Sequence, residues 1–270
     1  MNYQPPDALS SLRGLVIDMD GVLWRGNTPL PGLSEFFDLL RGRPIAFRLA
    51  TNNVSKTPGQ YVEKLALMGV QVAPDEILTS AGVTAQYLAA SAPGASVYVI
   101  GGNGLRQALL DHHLQLSDGG RADFVVVGWD PELTYARLAD AALLVRAGAT
   151  FVGCNPDRTL PSERGLLPGN GATLAFLEAA TEVAPLIIGK PERTMFDVAV
   201  GAMGLDPAHT AMLGDRLETD ILGGQRAGLR TILVLTGVSD EAALATSPIQ
   251  PDWVFADIQA LTHAWHNLAG

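Results

Sequence analysis

Asp18 and Asp20 close the stretch VIDMDG (Val16–Gly21) with two carboxylates one residue apart. On an extended chain, residues i and i+2 point to the same side. Two like charges held that close repel, and each resists losing its water. A buried strand ending this way needs a compensating cation nearby. Three more apolar runs end on a polar group: IAFRLAT on Thr51, LIIGK on Lys190 and TAMLGD on Asp215. Ligands of open parallel sheets bind beyond the carboxyl ends of the strands. If these four strands are neighbours, their polar groups converge on one crevice. The residue types then form a chemical set. Asp18, Asp20 and Asp215 supply hard oxygen ligands suited to Mg²⁺. Lys190 supplies a point charge for an anion, Thr51 a hydroxyl for a phosphate oxygen, and Asn52 and Asn53 backbone amides in the same turn. An aspartate can act as nucleophile toward a phosphoryl group. A second carboxylate two residues on can protonate the leaving oxygen and later activate water.

The elements that must carry these residues alternate along the chain. Candidate strands are Leu15–Ile17, Ile45–Ala50, Val97–Ile100, Phe124–Val127, Thr150–Val152, Leu186–Ile188, Thr210–Leu213, Thr231–Leu235 and Trp253–Phe255. Amphipathic stretches lie between them. SEFFDLL puts Leu33, Phe36, Phe37 and Leu40 on one helical face, and TPGQYVEKLALMG does the same for Tyr61, Leu65 and Met68, with Gly69 suited to the helix end. TMFDVAVGAMG and ETDILGGQRAG read likewise as helices. Continuous apolar strands alternating with helices predict an α/β fold with a mostly parallel sheet covered on both faces. The region from about Gly82 to Pro185 has its own strand–helix rhythm and nothing like VIDMDG. It reads as an inserted α/β module (82–185) within a core made of 1–81 and 186–270.

Bulk properties narrow the partners. The chain has 270 residues, 47% of them apolar, enough for a sizeable core. Its net charge of −10 argues against a nucleic-acid backbone or an anionic membrane as partner. A small phosphate ester remains open to it, because screening over about 8 Å lets one cation in a cleft outweigh distant charge. No apolar run reaches transmembrane length, and MNYQPPDALSSLRG lacks the basic-then-apolar pattern of a signal peptide. The single cysteine, Cys154, excludes an intrachain disulfide and suits a reducing, cytoplasmic compartment. A homodimer is left open.

Other features carry less. GKP lacks the GxxxxGK[ST] frame of a phosphate-cradling loop, so Lys190 draws its meaning from the set. IGGNGLRQALL follows a strand and opens a helix, but Gln107 stands where a dinucleotide fingerprint needs its third glycine. It reads as a tight turn. His112, His113, His263 and His266 read as surface or packing residues, and Cys154 as buried. Asn155, Asp157 and the loop Gly169–Gly171 suit substrate-facing turns and plain capping turns equally. Trp24 and Arg25 follow the two aspartates, either as a small flap or as packing.

DMDGVLWRG, ATNN, GKP and GDRLETDI resemble, in order, the four motifs of the haloacid dehalogenase-like (HAD) superfamily. LPG and NPDRTLPSERGLLPGNGA bring the chain closest to the NagD-type, nitrophenylphosphatase-like branch, which carries a large α/β cap between its second and third motifs. The resemblance spans nearly the whole chain. It implies a Rossmann-like core and a Mg²⁺-dependent phosphatase of small phosphomonoesters: sugar phosphate, nucleoside monophosphate, phosphoglycolate or aryl phosphate. It also implies Asp18 as nucleophile, Asp20 as acid/base, and Thr51, Lys190, Gly21, Asn52 and Asn53 around the phosphate. Asp18, the Asp20 carbonyl and Asp215 would bind the metal. Asp220 would be a further acidic member, touching the metal or holding the site. The alternatives are a non-catalytic phosphometabolite sensor and another reaction of the same fold, such as dehalogenation.

Overall fold

A computed structural model describes residues 6–162 and 164–267. The chain divides into two compact units. One comprises the residues up to Thr51, Pro58–Leu78 and the residues from Lys190 on; the other comprises Asn52–Thr57 and Thr79–Gly189.

The first unit is built on a six-stranded sheet. Its spatial order is Trp253–Phe255, Arg230–Val234, Thr210–Gly214, Gly14–Ile17, Ala46–Thr51, Ile77–Thr79. The pairings from Trp253–Phe255 through Ala46–Thr51 are all parallel. Gly14–Ile17 and Thr210–Gly214 are buried at every position, as expected of strands covered on both faces. Helix Leu33–Gly42 turns Leu33, Phe36, Phe37 and Leu40 into the core as its spacing predicts, and adds Leu39. Helix Pro58–Leu67 buries Tyr61 and Leu65, and Gly69 follows at φ +85°, a conformation glycine adopts without the Cβ clash. Phe36, Phe37, Phe47, Leu49, Ile258 and Trp265 share this core. Truncating a fully buried aromatic such as Phe36 to alanine costs about 3–5 kcal/mol.

The second unit has its own five-stranded parallel sheet, ordered Leu186–Ile187, Thr150–Gly153, Phe124–Val127, Ser96–Ile100, Gln115–Leu116. Helices Tyr135–Arg146 and Asn170–Thr181 close a core around Val125, Val127, Leu144, Phe151 and Leu177.

Two expectations need correction. The run LIIGK is not a neighbour of the other three polar-ended strands. Leu186–Ile187 pairs with Val152 and Gly153 in the second unit's sheet. A short apolar run reveals that it is a strand but not which sheet it joins. The stretch ETDILGGQRAG is not a single α-helix either. Leu217–Ile221 forms one π-helical turn, and an α-helix runs only from Leu222 to Arg226. The wider turn is held by Asp220, whose carboxylate reaches back to the end of the preceding strand.

Candidate active site

Three adjacent parallel strands end on the polar residues. Thr210–Gly214 delivers Asp215, Gly14–Ile17 delivers Asp18, and Ala46–Thr51 ends on Thr51 itself. The ladder continues one residue into the site, where the Asp18 N–H donates to the Leu213 carbonyl at 2.8 Å. Asp18, Thr51, Asp215 and Asp220 are all buried. One carboxylate oxygen from each of Asp18, Asp215 and Asp220 lies within 4.8 Å of the others.

Lys190 reaches this cluster from a loop rather than a strand, leading into helix Arg193–Met203, which packs on strands Gly14–Ile17 and Ala46–Thr51. Its side chain is only 2% exposed. The ammonium donates to Asp18 Oδ1 at 2.6 Å, to Asp220 Oδ1 at 2.7 Å and to the Ala50 carbonyl at 3.1 Å. Those three acceptors match its three N–H donors. Burial alone would push Lys190 down, but the charges of Asp18 and Asp220 overcome it and hold the ammonium protonated.

Asp220 is held by three donors of the protein. Besides Lys190, its Oδ2 accepts the backbone N–H groups of Asp215 at 3.2 Å and Arg216 at 3.1 Å. The π-turn permits this, and Gly214 makes it possible, since a Cβ there would overlap the Asp220 side chain.

Asp215 is held differently. Its Oδ2 accepts the Val238 N–H at 2.7 Å, while its Oδ1 is buried with no hydrogen-bond partner. Gly21 and Gly237 flank the carboxylate, and a Cβ on Gly237 would collide with it. In sequence, loop 236–239 offers only a glycine and a small polar residue after the strand Arg230–Val234, a pattern too common to mark a site.

Burial pushes the Asp18 carboxyl well above its ordinary value, with Lys190 opposing and Asp220 and Asp215 adding to the rise. Burial and then the charge of Asp220 push Asp215 up to about 6, against the Val238 N–H. Three buried carboxylates cluster around one ammonium, which pairs with Asp18 and Asp220, and one oxygen of Asp215 has no hydrogen-bond partner among the described residues. Hard, crowded oxygen donors of this kind fit a divalent cation.

Asp20 stands apart from the buried cluster. Its side chain is exposed, and Oδ1 accepts the Trp24 indole N–H at 2.7 Å. Tyr61 is also close. Its phenol is pushed up by burial and then by the charge of Asp20, with Thr51 acting the other way. The helical spacing placed Tyr61 in the core, which is correct, but gave no sign that its buried hydroxyl lies within the field of Asp20; that hydroxyl has no hydrogen-bond partner among the described residues.

Asn52 and Asn53 belong to the second unit. The Asn52 carbonyl accepts from Ser80 Oγ at 2.8 Å and Asn155 Nδ2 at 2.6 Å, and its side-chain amide donates to Asp157 Oδ1 at 3.2 Å. The Asn53 side chain accepts the Ser55 N–H at 2.9 Å. Both amide side chains are therefore engaged with their own unit. In the glycine-rich turn, the Gly101 N–H donates to Asp130 Oδ2 at 3.0 Å, so a carboxylate of the same unit takes this backbone N–H.

Fold and site together define an α/β enzyme with an aspartate cluster at the carboxyl edge of a parallel sheet. Residues 15–115 match the family model of haloacid dehalogenase-like hydrolases, and residues 187–261 match a second model described as HAD-hydrolase-like. The chain is 42% identical over 250 residues to the acid sugar phosphatase of Staphylococcus aureus, covering 93% of this chain and 96% of that one. The 4-nitrophenylphosphatase of Thermotoga maritima superposes with a TM-score of 0.90 at 35% identity, covering 94% of this chain and 98% of that one. NagD of E. coli K-12 superposes with a TM-score of 0.85 at 33% identity, covering 92% and 97%. The chain belongs to the haloacid dehalogenase-like hydrolases, in their NagD-type branch.

Proposed function

We propose that the chain is a Mg²⁺-dependent phosphatase of small phosphomonoesters that works through an aspartyl-phosphate. The observation that carries this reading is the buried triad Asp18–Lys190–Asp220 clustered with Asp215, one of whose carboxylate oxygens is unpartnered. The relatives named acid sugar phosphatase and 4-nitrophenylphosphatase support sugar phosphates and aryl phosphates as the substrate class.

Lys190 holds Asp18 Oδ1 and leaves the other oxygen to attack phosphorus in line. As the new P–O bond forms, the bond to the ester oxygen breaks, and Asp20 gives that oxygen its proton. Asp20 then takes a proton from the water that cleaves the acyl phosphate, which restores Asp18 and releases inorganic phosphate. Thr51, Lys190 and the backbone amides of Gly21, Asn52 and Asn53 stabilise the equatorial oxygens. Asp18, Asp215 and the Asp20 carbonyl would hold Mg²⁺, with Asp220 acting mainly through Lys190. When bound, the metal supplies positive charge to the phosphoryl oxygens.

The inserted module (82–185 by sequence) is read as a cap that restricts substrates to small esters. No described helix is long and apolar enough to cross a membrane. A cytoplasmic enzyme acting on a small phosphorylated metabolite, without nucleic acid or membrane and with homodimerisation open, completes the proposal.

The test is hydrolysis of 4-nitrophenyl phosphate with Mg²⁺ and with a chelator, followed by acid-quench trapping of phosphate on the chain. Turnover that needs the cation, and a trapped adduct absent from Asp18→Asn, are expected. Turnover in Asp18→Asn at the level of the unaltered chain would remove Asp18 as nucleophile.

A further inference from the structure

The mechanism asks Asp20 to deliver a proton along one direction, yet Asp20 is an exposed side chain that could rotate. What holds it is Trp24, four residues on and fully buried. We propose that Trp24 is the positioning residue for Asp20: its indole N–H fixes one carboxylate oxygen so that the proton is carried on the other. This rests on the phosphatase reading above.

The local chain makes the contact. Gly21 takes φ +87°, the Gly21 N–H donates to the Trp24 carbonyl at 2.8 Å, and the Leu23 N–H donates to the Met19 carbonyl at 2.8 Å. The turn closes on itself, with Asp20 and Trp24 bridged, and the indole folds back over the carboxylate. The ring cannot swing away. Tyr61 lies stacked beside it, ring centres 6.3 Å apart and planes 22° apart, and Lys64 Nζ sits 4.1 Å from the indole centroid. Tyr61 and Lys64 are three residues apart on helix Pro58–Leu67, so one helical face supports the indole.

Chemistry fits the geometry. An indole N–H is a donor only. It can neither take the proton from Asp20 nor compete as a base. By occupying Oδ1 it leaves Oδ2 as the oxygen that carries, gives and retakes the proton. General acid catalysis requires that alignment as well as the group itself.

The prediction separates positioning from packing. Protonation matters for an alkoxide leaving group and little for 4-nitrophenolate, which departs as a stable anion. The quantity kcat/KM covers the steps up to formation of the aspartyl-phosphate, in which Asp20 acts as acid. Trp24→Phe keeps a ring against Tyr61 and removes the N–H. Its kcat/KM for glycerol 2-phosphate should fall at least about tenfold more than for 4-nitrophenyl phosphate. In an Asp20→Asn background the same substitution should no longer change the ratio of the two substrates. The ratio does not depend on how much of a preparation is folded, so a destabilised variant is read the same way, and Trp24→Met gives a second reading. Equal losses on both substrates, or a ratio that still shifts when Asp20 is already asparagine, would overturn the role of Trp24 alone. Absence of hydrolysis by the unaltered chain would overturn the phosphatase reading with it.

Discussion

Lys190 shows how much a single buried charge organises. It binds Asp18 and Asp220, which approach no other ammonium among the described ion pairs. Removing one partner of a buried pair leaves an uncompensated charge, at a cost of about 3–5 kcal/mol. Lys190→Met in chelator should lose stability on that scale in urea unfolding, and adding Asp220→Asn should recover part of it. A loss within experimental error for the single change would show that the cluster relieves its charge another way. Cys154 makes the opposite point. It is buried, and burial pushes its thiol up to about 12, only partly opposed by Thr84. The thiolate is the reactive form, so Cys154 should resist a thiol reagent in the native protein and react at once in denaturant. Rapid modification of the folded chain would contradict that burial. At this scale the aspartates and Lys190 were legible because charged residues rarely end apolar runs without cause. The pairing of Trp24 with Asp20 was not, because it depends on a turn whose path no residue pattern specifies.

At the scale of elements, the sequence revealed the longer apolar strands and helices Leu33–Gly42, Pro58–Leu67 and Arg193–Met203, since apolar runs and helical spacing depend on neighbours in the chain; short edge strands such as Ile77–Thr79 and Gln115–Leu116, and helices such as Ser80–Ser91 and Tyr135–Arg146, were not marked by it. It did not reveal sheet membership. LIIGK looks like TAMLGD as a string, yet one strand joins the second unit's sheet and the other lies beside Gly14–Ile17. Lys190 still reaches Asp18, because the chain after Gly189 turns into the first unit before helix Arg193–Met203 begins. The π-turn Leu217–Ile221 was equally hidden, because its apolar positions fit an α-helix nearly as well. Its consequence can be tested. Each residue turns a helix by about 100°, so deleting the exposed Glu218 should tighten the turn and carry Asp220 away from Lys190 and from the Asp215 and Arg216 amides. The shortened chain should lose 4-nitrophenyl phosphate turnover and several degrees of melting temperature. The conservative Glu218→Ala, which keeps the turn's length, should lose neither. Activity surviving the deletion would mean that Asp220 is dispensable.

Across the whole molecule, the buried acids Asp18, Asp215 and Asp220 sit in one compact unit, so the cation of the proposed site would act as a selective stabiliser. A ligand at 100 times its Kd adds about 2.7 kcal/mol to whatever binds it. Mg²⁺ should therefore raise the melting transition of the unit containing Asp18, Lys190 and Asp215, and leave that of the unit built on Ser96–Ile100 and Phe124–Val127 where it was. The pH dependence follows from Asp215, raised by burial and Asp220 from 3.8 to about 6. Its folded value lies above its unfolded one, so the metal-free native state binds the extra proton between about pH 4 and 6. Stability from this group falls as pH rises through that window, and the full cost stands at pH 8. In chelator, Asp215→Asn should thus be more stable than the unaltered chain at pH 8, and its advantage should shrink toward pH 5. Saturating Mg²⁺ should reverse the order at pH 8 if it binds as proposed, because only the unaltered chain keeps the Asp215 carboxylate of the proposed site. Differential scanning calorimetry across these conditions decides the matter. An Asp215→Asn advantage that is flat with pH, or a transition in the unaltered chain that ignores the cation, would show that the carboxylates are relieved without a metal.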